Sequence, residues 1–166
     1  ATLKKRGLVA EYVQEYAKEL AWEGRNELLD GSESSQRKIL EEQYNRMMRL
    51  EGKVDAIITD APLLLNTVYN RQLTPEYEKE VVQKYNEFNN FVFVVQRDAD
   101  ASYEQDGRLQ TTEEAKVIDE KIKELLQNNG IQYGVYSHSN IGKVAYNAQK
   151  IIYATTNGKV AGKAKK

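Results

Sequence analysis

The segment Lys53–Leu65, KVDAIITDAPLLL, narrows the architectures open to this chain more than any other. Val54, Ala56, Ile57 and Ile58 form a nearly continuous apolar run, as a parallel strand covered on both faces requires. Asp60 then stands at the carboxyl end of that strand, where open α/β sheets gather their ligands. Carboxylates there commonly hold Mg²⁺, directly or through water, in proteins that move phosphoryl groups. An aspartate at that point can equally cap the turn into the next segment. Nothing upstream of it supplies the glycine-rich phosphate-binding loop that such an aspartate usually serves.

The chain's 166 residues make one domain the simplest organisation, with a core of real size. With 24 basic and 25 acidic residues, the net charge of −1 argues against an obligate nucleic-acid or membrane-surface binder. Cysteine is absent, which removes disulfides, thiolate nucleophiles and cysteine-based zinc sites and fits a reducing compartment. His138 is the only histidine, so a three-histidine metal site cannot form within one chain. No apolar run approaches a membrane span, and ATLKKRGL carries no signal-like apolar core, which makes the cytoplasm the expected location.

Along the chain, Gly7 reads as the stop of a helix whose last turn is Leu3–Arg6, and Leu8–Val13 as a short strand. Glu15–Glu23 has helical spacing, with Tyr16, Leu20 and Trp22 directed inward, and Gly24–Ser35 is a polar loop or lid segment. From about Ser35 to Gly52, Ile39, Leu40, Gln43, Met47 and Leu50 fall near one helix face, a stripe that reads as core. After the strand ending at Asp60, Thr74-Pro75 opens a helix to about Phe88 and Phe91–Val95 is a second buried strand. Thr111-Thr112-Glu113-Glu114 opens a helix that runs to Gln127, Ile131–Tyr136 is the last strand, and Asn140 caps a helix through Tyr153. This order implies an α/β three-layer sandwich with a mostly parallel sheet: residues 1–153 form the domain and 154–166 a flexible basic tail.

Three strand exits are polar: Gln14/Glu15, Thr59/Asp60 and Gln96/Arg97. A parallel sheet brings such exits to one edge, so a carboxylate pair and a guanidinium can converge there. Arg97, with Arg108 in the charged loop that follows, can neutralise charge on a transferred phosphoryl group; the bland reading pairs both arginines with Asp98, Glu104 or Asp106 on a solvated surface.

RGLVAEYVQEYAKELAWEG, SQRKILEEQ, KVDAIITDAPLLLNTVYN and the stretch from Gln96 to Tyr133 resemble the bacteriophage-type P-loop ATPase and kinase-like family. Its AAA-like ATP-binding domain is related to the kinase part of bifunctional nicotinamide-nucleotide enzymes. The resemblance runs from about Leu3 to about Tyr136 and rests on the TDxPLLL and Y-x₃-GR-x-QT patterns. It implies a P-loop kinase-like fold, ATP and Mg²⁺ as cofactors, a nucleoside or nucleotide as substrate, no membrane association, and host cytoplasm if the source is viral. By it, Asp60 matches the Mg²⁺ aspartate and Glu15 the base near the acceptor hydroxyl. Arg97, Tyr103 and Arg108 match the lid, Gln43 and Arg46 the helix bordering the acceptor pocket, and Ser137–Asn140, with His138, the adenine contact.

Members of that family open with a strand and a GxxxxGK[ST] loop, and both are absent from these residues. The missing strand would be central to the sheet. The tail Asn157–Ala164 is a partial substitute, with its glycines one residue too close and Ala164 in place of the Mg²⁺-binding hydroxyl. Three readings follow: a phosphotransferase in an N-terminally incomplete copy, a non-catalytic module that keeps the shell, or a first strand supplied by another chain, which makes a homo-oligomer the expected state. The lysines of the tail could touch nucleic-acid phosphates, but a short basic tail is usually only solvated.

Overall fold

The computed structural model describes the backbone of residues 2–96 and 112–163 and the side chains of residues 2–96, 116–137 and 139–155. Helix α1 (Thr2–Lys5) ends at Gly7, whose φ of 80° is the left-handed conformation that glycine adopts without strain. Strand β1 (Ala10–Val13) and helix α2 (Tyr16–Trp22) follow. Trp22, expected to point inward, is 62% exposed, whereas Leu20 on the same helix is fully buried. After a 3₁₀ turn at Asn26–Leu28, helix α3 (Glu33–Met48) starts two residues earlier than its apolar stripe suggests, because the Ser32 side chain accepts the Ser35 N–H and caps it.

Strand β2 (Ala56–Thr59) leads through Pro62 into helix α4 (Leu65–Val68). Helix α5 (Pro75–Asn86) has proline in its first turn and Thr74 as cap, accepting the Tyr77 N–H. Strand β3 (Val92–Val95), helix α6 (Thr112–Asn128) and strand β4 (Tyr133–Tyr136) come next. A 3₁₀ turn at His138–Asn140 precedes helix α7 (Gly142–Lys163). That helix continues past the expected end at Tyr153, so Asn157–Lys163 is helical and offers no phosphate-cradling loop.

The four strands form two parallel pairs. β1 lies beside β2 in the register Ala10↔Ala56 through Val13↔Thr59, and β3 beside β4 from Val92↔Tyr133 to Val95↔Tyr136. Among the described residues no ladder joins β2 to β3, so the single four-stranded sheet anticipated from the sequence is divided in the middle. The class remains mixed α/β with parallel strands and helices on both faces.

The larger core unites Val13 of β1 with Leu40 and Met47 of α3, Leu63 and Leu64, and Tyr77, Val81 and Tyr85 of α5. Leu40, Leu63 and Val81 are at most 1% exposed, and burying such a side chain contributes about 1.5–3 kcal/mol each. On the opposite face Leu3, Leu8 and Ala10 pack with Ala56 and with Ile152 of α7. Arg6 donates to the Gln149 side chain and the Tyr153 hydroxyl to the Arg6 carbonyl at 3.3 Å, which ties the amino-terminal turn to α7.

Candidate functional site

The β1–β2 register decides what meets at the carboxyl edge. With Val13 opposite Thr59, the next residues of both strands leave the sheet side by side, Gln14 and Glu15 from one and Asp60 from the other. Asp60 is exposed and Glu15 half-buried at the amino end of α2. Tyr12, opposite Ile58, was not singled out by the sequence. Its hydroxyl lies near the Asp60 carboxylate, and its pKa is pushed up to about 12 by burial, by its interaction with Asp60, and by the charges of Asp60 and Glu15. The signal available in the sequence was a polar-tipped aromatic two places before a strand exit, which is weak on its own.

Gln43 of α3 holds this edge together. It is 2% exposed. Its Oε1 accepts the Tyr16 N–H at 3.0 Å and its Nε2 donates to Thr59 Oγ1 at 3.4 Å, while that hydroxyl oxygen accepts the Ala61 N–H at 3.0 Å. One buried carboxamide thus links the start of α2, beside Glu15, to the exit of β2, beside Asp60, firmly at the Tyr16 N–H and weakly at Thr59. Glu15 makes no side-chain cap bond to its own helix, so Gln43 takes over the satisfaction of an amino-terminal N–H.

Arg46, one turn further along α3, is bracketed. Its guanidinium bonds Glu19 at 2.7 Å and Glu42 at 2.8 Å, with its Cζ 4.7 Å from the centre of the Tyr16 ring. The Glu19 hydrogen bond is the main cause that raises the Arg46 pKa, and the same bond holds Glu19 below the ordinary carboxylate value. As it stands, Arg46 orients α2 on α3; to meet a phosphate it would have to leave two carboxylates.

The other expected contributors are less closely placed. Asn140 lies in the turn after β4, where its Oδ1 accepts the Ser137 N–H at 2.9 Å, a local cap. His138 shares that turn, and its side chain lies outside the described residues, as do Arg97, Tyr103 and Arg108. Among the described residues no three histidine or carboxylate side chains gather into a metal-holding group. A Mg²⁺ ion in a phosphoryl-transfer site does not need one: it keeps several waters and takes one or two carboxylates together with substrate phosphates. Asp60, exposed at a strand exit, fits that requirement.

Parallel βαβ units with carboxylates at the carboxyl edge define an α/β domain of the nucleotide-binding type. Residues 1–141 match the family model described as AAA domain, and the chain belongs to that family, an ATPase-like fold of the P-loop kind. No curated protein and no solved structure matches the chain. Among the described residues no helix is long and apolar enough to cross a membrane.

Proposed function

We propose that this protein binds Mg²⁺-ATP at the carboxyl edge of β1 and β2 and is built for phosphoryl transfer to a nucleoside or nucleotide. The observation that carries the reading is the Val13↔Thr59 register, which brings Glu15 and Asp60 out of the sheet together. Asp60 would hold the ion, directly or through water, with the Tyr12 hydroxyl orienting its carboxylate. A bound Mg²⁺ would supply positive charge against the negative charge that develops on a transferred phosphoryl group. Glu15 would accept the proton of the attacking hydroxyl. Gln43 would tie the backbone beside Glu15 to that beside Asp60, and Arg97 and Arg108 are the sequence's candidates for the guanidinium that faces the phosphates.

A second reading is nucleotide binding without transfer: of the guanidinium candidates, Arg46 is held by Glu19 and Glu42 rather than turned toward a phosphate. Calorimetry of Mg²⁺-ATP binding to the chain and to Asp60→Asn tests the shared claim. Affinity should fall at least about tenfold in the variant, a loss of about 1.4 kcal/mol. Equal binding by both proteins would remove Asp60 from the site. Turnover with nucleoside acceptors then separates transfer from binding alone.

A further inference from the structure

The three phenylalanines of the chain, Phe88, Phe91 and Phe93, line one cleft together with Tyr85, Tyr133 and Tyr136. Its volume of about 710 Å³ falls in the range of pockets that hold small organic ligands. Phe91 is 50% exposed, and a ring left in water at such a cleft gains by being covered. The cleft shares no residue with the site at the carboxyl edge: Tyr12, Glu15, Gln43 and Asp60 all lie outside its lining.

A residue without a side chain shapes the cleft. β3 and β4 pair Phe93 with Gly134, and a Cβ on Gly134 would come 2.9 Å from the Tyr136 ring and 3.5 Å from the Phe93 ring. Glycine therefore lets Tyr136 lie across β4 beside Phe93, with ring centres 5.7 Å apart and planes tilted by 60°. From α7 the Asn147 side chain donates to the Tyr136 hydroxyl oxygen at 2.6 Å and holds that ring in place. The hydroxyl is the acceptor in this bond, and its own proton has no acceptor among the described residues. In the turn before β3 the Asn90 carboxamide donates to the Tyr85 and Phe88 carbonyls at 2.6 and 2.9 Å, which fixes the wall that those rings belong to.

Charge narrows the ligand further. The chain carries 25 acidic residues, yet no carboxylate lines the cleft among the described residues, and Lys150 is its one charged side chain. Lys150 follows Asn147 by one turn of α7, which puts it on the helix face that meets Tyr136. Its ammonium lies 4.6 Å from the centre of the Tyr146 ring and has no carboxylate partner among the described residues. A phosphate monoester carries more than one negative charge near neutral pH and calls for several cations or a nest of backbone N–H groups. A carboxylate carries one charge, which one ammonium and one hydroxyl donor match.

We propose that this cleft binds a small planar aromatic carboxylate, with its rings against Phe93 and Tyr136 and its carboxylate between the Lys150 ammonium and the Tyr136 hydroxyl. Planarity is favoured because ring-to-ring contacts add attraction beyond the area they bury. The proposal does not depend on the nucleotide reading and is tested without nucleotide.

The test is an NMR titration of the isotopically labelled chain with 2-naphthoate. The amides of Phe93, Gly134, Tyr136 and Asn147 should shift saturably, while those of Tyr12 and Asp60 stay in place. Decahydro-2-naphthoate, which keeps the charge and the carbon skeleton but is not planar, should bind at least about threefold more weakly. In Lys150→Gln the dissociation constant for 2-naphthoate should rise about threefold to fivefold, whereas that for uncharged 2-naphthamide should not change. Tyr136→Phe keeps the ring and removes the donor, and should weaken 2-naphthoate about tenfold. Lys150 is exposed, so its variant decides the matter even if Tyr136→Phe disturbs the fold. No saturable shift at the four amides would overturn the proposal. So would equal binding of the planar and saturated acids, or a 2-naphthoate affinity unchanged in Lys150→Gln.

Discussion

Replacing Gln43 by leucine tests the link between α3 and the carboxyl edge. The change keeps a branched side chain of similar size, so the loss is polar rather than a cavity. It removes the acceptor of the Tyr16 N–H at 3.0 Å and a weak donor contact to Thr59 at 3.4 Å. At 3.4 Å the second contact contributes little. The first leaves a part-buried N–H at the start of α2 without its acceptor, at the low end of the roughly 1–3 kcal/mol that an unsatisfied buried amide costs. Taking about 1 kcal/mol, a domain of this size should lose about 2–4 °C in Tm. Urea unfolding followed by circular dichroism measures it, with the midpoint falling and the slope unchanged. A change below about 0.5 kcal/mol, the scatter of ordinary surface substitutions, would show that the Tyr16 N–H has another partner and that Gln43 does not hold the edge.

Further outcomes follow from individual groups. The Tyr77 hydroxyl is buried without a hydrogen-bond partner among the described residues, so Tyr77→Phe should be neutral or stabilise by up to about 2 kcal/mol in denaturant melts; a marked loss would reveal a partner. Arg46 holds Glu19 below its ordinary value of 4.5, a stabilisation present above that value and lost as pH falls through the depressed one. The acid limb of the stability–pH curve should therefore flatten in Arg46→Met, with a loss near neutral pH of about 1 kcal/mol for this partly exposed pair. Tyr12 titrates near 12 rather than 10, so its contribution is complete below pH 10 and fades as pH rises from 10 to 12. In Asp60→Asn the Tyr12 ring resonances should titrate closer to 10; an unchanged midpoint would mean that burial alone sets it.

What the sequence made legible is what period and local chemistry determine. The Ile39–Met47 stripe has the 3.6-residue period of a helix face, and the structure buries it. Thr74-Pro75 opens α5 as capping predicts, and the apolar runs ending at Thr59 and Val95 are parallel strands. Pairing between strands is less legible, since the Val13↔Thr59 register that joins Glu15 to Asp60 is a contact between segments far apart in sequence. The same holds for Gln43, which reads as one more member of a core stripe until α2 and β2 are placed against it. Trp22 misled because amphipathic spacing near a helix end fixes its direction poorly: α2 stops at that residue and the ring lies outside, with the Lys18 ammonium 5.1 Å from its centre. The division of the sheet could be anticipated only as a missing central strand. Which edges stay open, and how far their side chains remain uncovered, required coordinates.

The most direct measurement of the central claim is an NMR titration of the isotopically labelled chain with millimolar Mg²⁺-ATP, which registers weak binding residue by residue. The largest shifts should cluster at Tyr12, Gln14, Glu15, Thr59, Asp60 and Ala61, and should collapse in Asp60→Asn or when Mg²⁺ is withheld. Shifts confined to the cleft beside Phe93 and Tyr133, a pattern indifferent to Asp60, or no shifts at all would contradict a nucleotide site at the carboxyl edge of β1 and β2.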